Sequence, residues 1–439
     1  MKFISESCKK NRRSLRGNIR VPGDKSISHR SIMLGAIAEG TTYISGFLEG
    51  EDALATLNSF KAMGVNIIGP YKGEVSVHGV GMNGLSSPKD PLYLGNSGTS
   101  VRLLAGLLSG QNFDTTLVGD DSLSVRPMGR VVDPLTLMGA NISSKDGLLP
   151  LQIKGGDSLT GLNYHLPMAS AQVKSAILLA GLYADGKTSI TEPAPTRDHT
   201  ERMLSGFGYT VEKNDSKISI FGGGKLRSCL IDVPADISSA AFFMVAASIV
   251  PGSDIVLRHV GINPTRTGVI DILKLMGADI TVSNMKDVGG EPVGDIRIRY
   301  TELNGIEIPV NLVPLAIDEF PVILVAASFA TGTTVLKGAE ELRVKESDRI
   351  QAMVDGLNLI GVDIEGTADG AIVNGGLVNS QINELEVNSF HDHRIAMAFA
   401  VAGLRVESKL VINDCDNVAT SFPNFTDLAN SIGFAIRKE

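Results

Sequence analysis

The sequence predicts an α/β (α+β) chain of two domains, each assembled from three copies of one module. Three observations predict it. The chain has 439 residues, more than one hydrophobic core ordinarily serves. One pattern recurs six times: a polar cluster, an Ala/Leu-rich segment, a Thr/Ser-rich strand, then a second helix that turns through Gly into a final strand. Each Ala/Leu-rich segment is apolar nearly all round, which marks a helix buried on every side.

The first three modules open with "SHRSIMLGAIAEGTTYISG" (28–46), "TSVRLLAGLLSGQNFDTTLVG" (99–119) and "AQVKSAILLAGLYADGKTSIT" (171–191). The last three open with "SSAAFFMVAASIVPGSDIVL" (238–257), "DEFPVILVAASFATGTTVLKG" (318–338) and "DHRIAMAFAVAGLRVESKLVI" (392–412). Their second halves are "LNSFKAMGVNI", "VDPLTLMGANI", "RMLSGFGYTV", "IDILKLMGADI", "VDGLNLIGVDI" and "LANSIGFAI". The Gly before each final strand fits a left-handed helix C-cap. A period of roughly 65–80 residues exceeds that of the usual solenoids, so three modules can instead pack their helices in a shared centre with short sheets outside. The natural division falls near "LIDVPADISS" (230–239). The segment 1–20, with a strand in "RGNIRV", is expected to return to the second half, giving domains 22–233 and 1–21 plus 234–439 and two chain crossings.

Composition narrows the function classes. At 43% apolar and 20% charged, the chain is an ordinary globular protein. A formal charge of −8 disfavours a nucleic-acid binder. Any anionic ligand must therefore meet a local basic cluster. Cys8, Cys229 and Cys415 have no metal-site spacing and read as free thiols in a reducing compartment. The basic N-terminus has no apolar signal-peptide core, and "AAFFMVAASIV" (240–250) is too short to span a bilayer. The expectation is a cytoplasmic protein.

Polar residues gather where the buried helices begin. They include Lys25, Ser26 and Arg30, then "GNSGTSVR" (95–102), "MASAQ" (168–172), "AIDEF" (316–320) and "NSFHDHR" (388–394). Turns within the modules add Arg126, Arg197, Lys345, Glu346 and Arg349. A helix start offers unpaired N–H groups and a positive dipole, where phosphate and carboxylate bind readily. Gly98 allows close backbone approach, and arginine suits bidentate oxyanion geometry. Together they predict an anion site built from several helix starts, placed between the domains. Each also has a plainer reading: Ser26 and Ser170 fit simple N-caps, His29 and His393 fit structural histidines, and "RVKESDR" (343–349) fits a solvated helix face.

Taken in order, "PGDKSISHR", "GNSGTSVR", "RPMGR", "ASAQVKSA", "RDHTERML", "RVKESDRI" and "DHRIAMA" resemble the 5-enolpyruvylshikimate-3-phosphate synthase (3-phosphoshikimate 1-carboxyvinyltransferase) family, in its second class. The resemblance covers essentially the whole chain. It implies the two-domain enolpyruvyl-transferase fold: six βαβαββ-type units, three per domain, with buried parallel helices, outer sheets and ligands in the interdomain cleft. The implied reaction moves the enolpyruvyl group of phosphoenolpyruvate to the 5-hydroxyl of shikimate 3-phosphate and releases phosphate, on the chorismate route to aromatic amino acids. It implies no metal or organic cofactor and, as is usual in the family, a monomer.

The resemblance assigns Lys25, Ser26, Arg30, Ser170, Gln172, Arg197, Asp318 and Lys345 to shikimate 3-phosphate. It assigns Lys25, Gly98, Arg126, Gln172, Arg349 and Arg394 to phosphoenolpyruvate. Asp318 is the expected base and Glu346 the expected acid, assisted by Lys25. The two substrates together carry roughly −5 to −6 near neutral pH. Seven cations (Lys25, Arg30, Arg126, Arg197, Lys345, Arg349, Arg394) set against Asp318 and Glu346 leave about five positives to meet them.

Two positions depart from many relatives. Ser421 stands where a Lys commonly precedes "FP", and Ala171 stands where others carry a second Ser. Some members of the second class tolerate glyphosate, but a tolerant form with Ala at the Gly98 position is not what stands here. The inhibitor response stays open, leaning to sensitivity. The sister transferase acting on UDP-N-acetylglucosamine is the nearest rival. It begins its first helix with "KN" and usually carries a Cys on the second repeat's mobile loop. Here Lys25–Ser26 stand, and "GDDSLSVRPMGR" (119–130) has no Cys. A non-catalytic anion-binding protein on the same fold is the other rival; the joint presence of Lys25, Asp318 and Glu346 argues against it.

Overall fold

The computed structural model describes residues 1–8, 13–376 and 383–439. Contacts along the chain divide it into two compact units. One is Gly23–Val233 with Asp287–Glu291; the other is Met1–Pro22, Pro234–Lys286 and Pro292–Glu439. Each has its own hydrophobic cluster.

In the first unit three helices, Lys25–Ile37, Gly98–Leu108 and Ala171–Gly181, form the core. In the second unit that place is taken by Ile237–Ile249, Phe320–Ser328 and His393–Ala402. Every residue of Ile237–Ile249 and of Phe320–Ser328 is buried, as an all-round apolar helix requires. The helices approach closely where glycine permits. A Cβ on Gly106 would lie 2.1 Å from the Ala176 carbonyl oxygen.

Five of the six core helices start at a side-chain cap, which satisfies orphan N–H groups. Asp24 accepts from the Ile27 amide at 2.9 Å, Ser97 from Ser100 at 3.1 Å and Ser170 from Val173 at 3.4 Å. Asp236 and Asp392 do the same for Ser238 and Arg394, each at 2.9 Å. Ser170 is thus an N-cap. Ser26 is not: Asp24 holds that position, and Ser26 lies inside the first turn.

Among the described residues, six small sheets accompany these helices. In the second module, Leu92–Tyr93 runs parallel to Thr115–Val118, which pairs antiparallel with Leu148–Lys154, and Asn141–Lys145 closes the edge. This is the βαβαββ order. The first sheet takes its parallel strand from Leu230–Asp232, and the fourth takes it from Arg16–Ile19. The sixth is completed by Phe3–Ser5, antiparallel to both Lys409–Asn413 and Ile436–Lys438. At each module's second helix the closing glycine is left-handed: Gly64, Gly139, Gly208, Gly277, Gly361 and Gly433 have φ of 88°, 101°, 80°, 95°, 95° and 112°. A side chain there would be strained.

Candidate active site

In the unit Gly23–Val233, one cluster forms where two core helices begin side by side. Gly98 opens its helix after the Ser97 cap. Arg102, one turn on, donates to the Gly98 carbonyl and to Gln172 Oε1, both at 3.1 Å. Gln172 Nε2 in turn donates to Thr99 Oγ1 at 3.2 Å. Arg126, after the short helix Asp121–Ser124, donates to Asn96 Oδ1 at 2.5 Å and Ser122 Oγ at 3.2 Å. A Cβ on Gly98 would meet Arg102 Nη1 at 2.6 Å and Arg126 Nη1 at 3.3 Å. Two guanidinium groups and a helix N-terminus thus converge on one glycine, an arrangement suited to an oxyanion.

A second cluster lies along the Lys25 helix. Lys25 pairs with Asp52, in the first turn of the next helix, Glu51–Ala62. Arg30 is only 4% exposed. Its guanidinium donates to Thr200 Oγ1 and Ser175 Oγ, each at 2.7 Å, and to the Ser26 carbonyl at 3.0 Å. Burial pulls its pKa down to about 10 against the opposing pull of Glu201 and Asp24, and nearby Arg197 lowers it further. Arg197 sits in the loop ahead of the helix His199–Gly206.

In the other unit, Asp318 gathers three cations. Its Oδ1 lies 3.2 Å from Arg349 Nη1 and 3.9 Å from Lys345 Nζ, and its Oδ2 lies 3.6 Å from Arg394 Nη2. Glu346 Oε2 is 2.5 Å from Arg349 Nη2. Arg349 begins the helix Arg349–Leu359, and its Nε donates to buried Asp392 at 2.8 Å. Burial works to lower the Arg349 pKa, but Asp392, Glu346 and Asp318 outweigh it and raise it. Phe390 and His391, with φ of 53° and 56°, turn the chain into the Asp392 cap. Two successive left-handed non-glycine residues are uncommon and cluster at sites that need a fixed geometry.

Within each unit, carboxylates that the count from sequence did not include stand beside its cations. Asp52 faces Lys25, Asp392 faces Arg349, Glu341 faces Lys345 and Glu319 stands 3.8 Å from Arg394. Within the second unit alone, Asp318, Glu346, Asp392, Glu341 and Glu319 all stand beside Lys345, Arg349 or Arg394. Asp52 and Asp392 are packed beside their cations by contacts between separate helices that the module pattern does not show, whereas Glu341 stands only four residues before Lys345.

The family model for EPSP synthase (3-phosphoshikimate 1-carboxyvinyltransferase) matches residues 9–428. The chain belongs to the EPSP synthase family. It is 62% identical to 3-phosphoshikimate 1-carboxyvinyltransferase of Methylococcus capsulatus over 423 residues, covering 96% of each chain. It is 63% identical to that of Alkalilimnicola ehrlichii over 426 residues, covering 97% of this chain and 95% of that one. The solved structure of EPSP synthase from Acinetobacter baumannii superposes with a TM-score of 0.88 at 57% identity, covering all of both chains.

Within this EPSP synthase fold, sequence reasoning singled out Gly98 and Gln172 but missed Arg102, which touches both. Its signal was present in "GNSGTSVR": an Arg four residues after the Gly, one turn along the same face. Asp52 carried no comparable signal, while Asp392 stood within "NSFHDHR" (388–394) without its partner being readable. His29 is buried, with Nδ1 2.7 Å from Thr56 Oγ1, which lies 2.7 Å from Ser100 Oγ. It ties three helices together, the structural role weighed for it from sequence. Ser421 follows the 3-10 turn Cys415–Thr420, and Phe422 packs on Phe425 at 5.4 Å in the core. Among the described residues, no group of three His, Cys, Asp or Glu side chains is placed to hold a metal ion.

Proposed function

We propose that Asp318, Glu346 and Lys25 carry the chemistry and that the clusters of both units serve one pair of substrates. The chain is a 3-phosphoshikimate 1-carboxyvinyltransferase: it transfers the enolpyruvyl group of phosphoenolpyruvate to the 5-hydroxyl of shikimate 3-phosphate and releases phosphate, a step in aromatic amino acid biosynthesis.

In our reading Asp318 takes the proton of the 5-hydroxyl as its oxygen bonds to the enol carbon, while Glu346 protonates the methylene. A proton then leaves the new methyl group as the carbon–phosphate oxygen bond breaks. The observation that supports this most directly is Asp318 among Arg349, Lys345 and Arg394. The same cations can bring the anionic substrates to the carboxylate, which places it within reach of the hydroxyl it is read to deprotonate. Lys25, Ser26, Arg30, Ser170, Gln172, Arg197, Asp318 and Lys345 hold shikimate 3-phosphate. Lys25, Gly98, Arg126, Gln172, Arg349 and Arg394 hold phosphoenolpyruvate. The anions compete for these cations with the protein's own carboxylates, so binding exchanges internal ion pairs for substrate ones. The protein works as a cytoplasmic monomer; its three cysteines are free, which suits a reducing compartment.

Phosphate release measured with shikimate 3-phosphate and, separately, with UDP-N-acetylglucosamine tests the acceptor. Turnover with the nucleotide sugar alone overturns the reading. An Asp318→Ala variant with unchanged turnover returns the fold to a binding role.

A further inference from the structure

The segment 192–201, "EPAPTRDHTE", is a loop over 192–198 that carries Arg197 and runs into the first turn of the helix His199–Gly206. That helix has no side-chain cap, because Asp198 instead holds Arg202 at 2.8 Å. The loop is anchored from elsewhere. Lys174, on the helix Ala171–Gly181, has a side chain only 1% exposed. Its ammonium lies 3.0 Å from Glu192, 2.7 Å from Glu201 and 3.5 Å from the Thr196 carbonyl. The Thr196 hydroxyl donates to the other oxygen of Glu192. The start of the loop, the residue just before Arg197 and the first turn of the helix that follows therefore converge on one buried cation. A second pin is His199, whose Nδ1 is 2.7 Å from Glu291.

Burying an ammonium and two carboxylates is costly unless their geometry is well matched. Two carboxylates against one lysine leave a local negative charge, and Arg30 lies close enough to Glu201 to feel it. The arrangement also joins the helix that carries Ser170 and Gln172 to the loop that carries Arg197.

We propose that Lys174 is a positioning residue for shikimate 3-phosphate, fixing the segment 192–201 so that Arg197 is held ready for the substrate. This rests on the reading that Arg197 contacts that substrate. Lys174 itself touches neither substrate.

The test is Lys174→Met beside the neutral triple Lys174→Met/Glu192→Gln/Glu201→Gln, which removes the charges without stranding any of them. Thermal melting identifies the variants that keep the fold. KM is measured for each substrate, with and without Arg197→Ala. The expected result is a rise in KM for shikimate 3-phosphate on the order of tenfold, in keeping with the cost of a misplaced binding group. KM for phosphoenolpyruvate should change less than about twofold, since none of its proposed contacts lies on the segment that Lys174 anchors and only Gln172 shares its helix. In the Arg197→Ala background, the Lys174 change should add nothing. A triple variant that melts like the parent and keeps the parent KM overturns the proposal, as does full additivity with Arg197→Ala. If Arg197→Ala alone leaves KM for shikimate 3-phosphate unchanged, the Arg197 assignment has failed and takes the proposal with it.

Discussion

Arg349 donates from Nε to Asp392 at 2.8 Å, and neither side chain is more than 2% exposed. The pair links the start of one helix to the cap of another, because Asp392 also accepts from the Arg394 amide. It sets the frame in which Asp318 and Glu346 meet the same guanidinium. Arg349→Met should strand Asp392 as an unpaired buried charge and destabilise the protein by about 3–5 kcal/mol. Adding Asp392→Asn should recover part of that loss. Urea unfolding of the two variants checks both; equal stability of the single variant and the parent would contradict it.

Gly98→Ala places a methyl group 2.6 Å from Arg102 Nη1 and 3.3 Å from Arg126 Nη1. The contacted atoms are the ends of flexible side chains, so the fold should survive while the two guanidinium groups shift. The expected outcome is a raised KM for phosphoenolpyruvate and weaker inhibition by glyphosate, with melting temperature nearly unchanged. Steady-state kinetics with an inhibition constant for parent and variant decides it. Unchanged inhibition removes steric control at Gly98.

His29 has its pKa held well below the usual 6.5 by burial, with Lys25 and Arg30 acting in the same direction. Below pH 6.5 the unfolded chain takes up a proton that the folded one refuses. Its contribution is therefore present above pH 6.5 and lost as pH falls, with a slope of up to about 1.4 kcal/mol per pH unit. His29→Gln keeps a partner for Thr56 and should flatten this acid limb. Denaturant titrations from pH 7 to pH 5 will show the difference in slope; parallel curves would contradict it.

Burial raises the thiol pKa of Cys415 to about 12 and of Cys8 to about 11, and raises that of half-buried Cys229 as well. Thiolate is the reactive form. At pH 8, iodoacetamide should label Cys229 first, and Cys8 and Cys415 only after unfolding. The linkage runs the other way from His29. The two buried thiols favour the fold below pH 9, the ordinary thiol value, and that contribution fades as pH rises through 11 to 12. Peptide mapping of labelled native protein checks the order; early labelling of Cys415 would contradict it.

Much of the fold was legible because it is written in short-range periodicity. The left-handed glycines, the all-apolar helices and the capped helix starts each depend on residues a few positions apart, where backbone sterics and hydrogen bonding act directly. Gly98, Gln172 and the Asp318–Lys345–Glu346–Arg349–Arg394 set could be named for the same reason: they sit at repeated points of a repeated unit.

The pairings belong to the tertiary structure. No local pattern says that Lys25 faces Asp52, that Arg349 reaches Asp392 43 residues away, or that Lys174 gathers Glu192 and Glu201. Nor does one say that Phe3–Ser5 completes the sixth sheet. By itself the sequence determined the module, its sixfold recurrence and the residue types at each helix start. Only the packed chain decided which carboxylate neutralises which cation, because Coulomb attraction and burial depend on distance in space and not on separation along the chain.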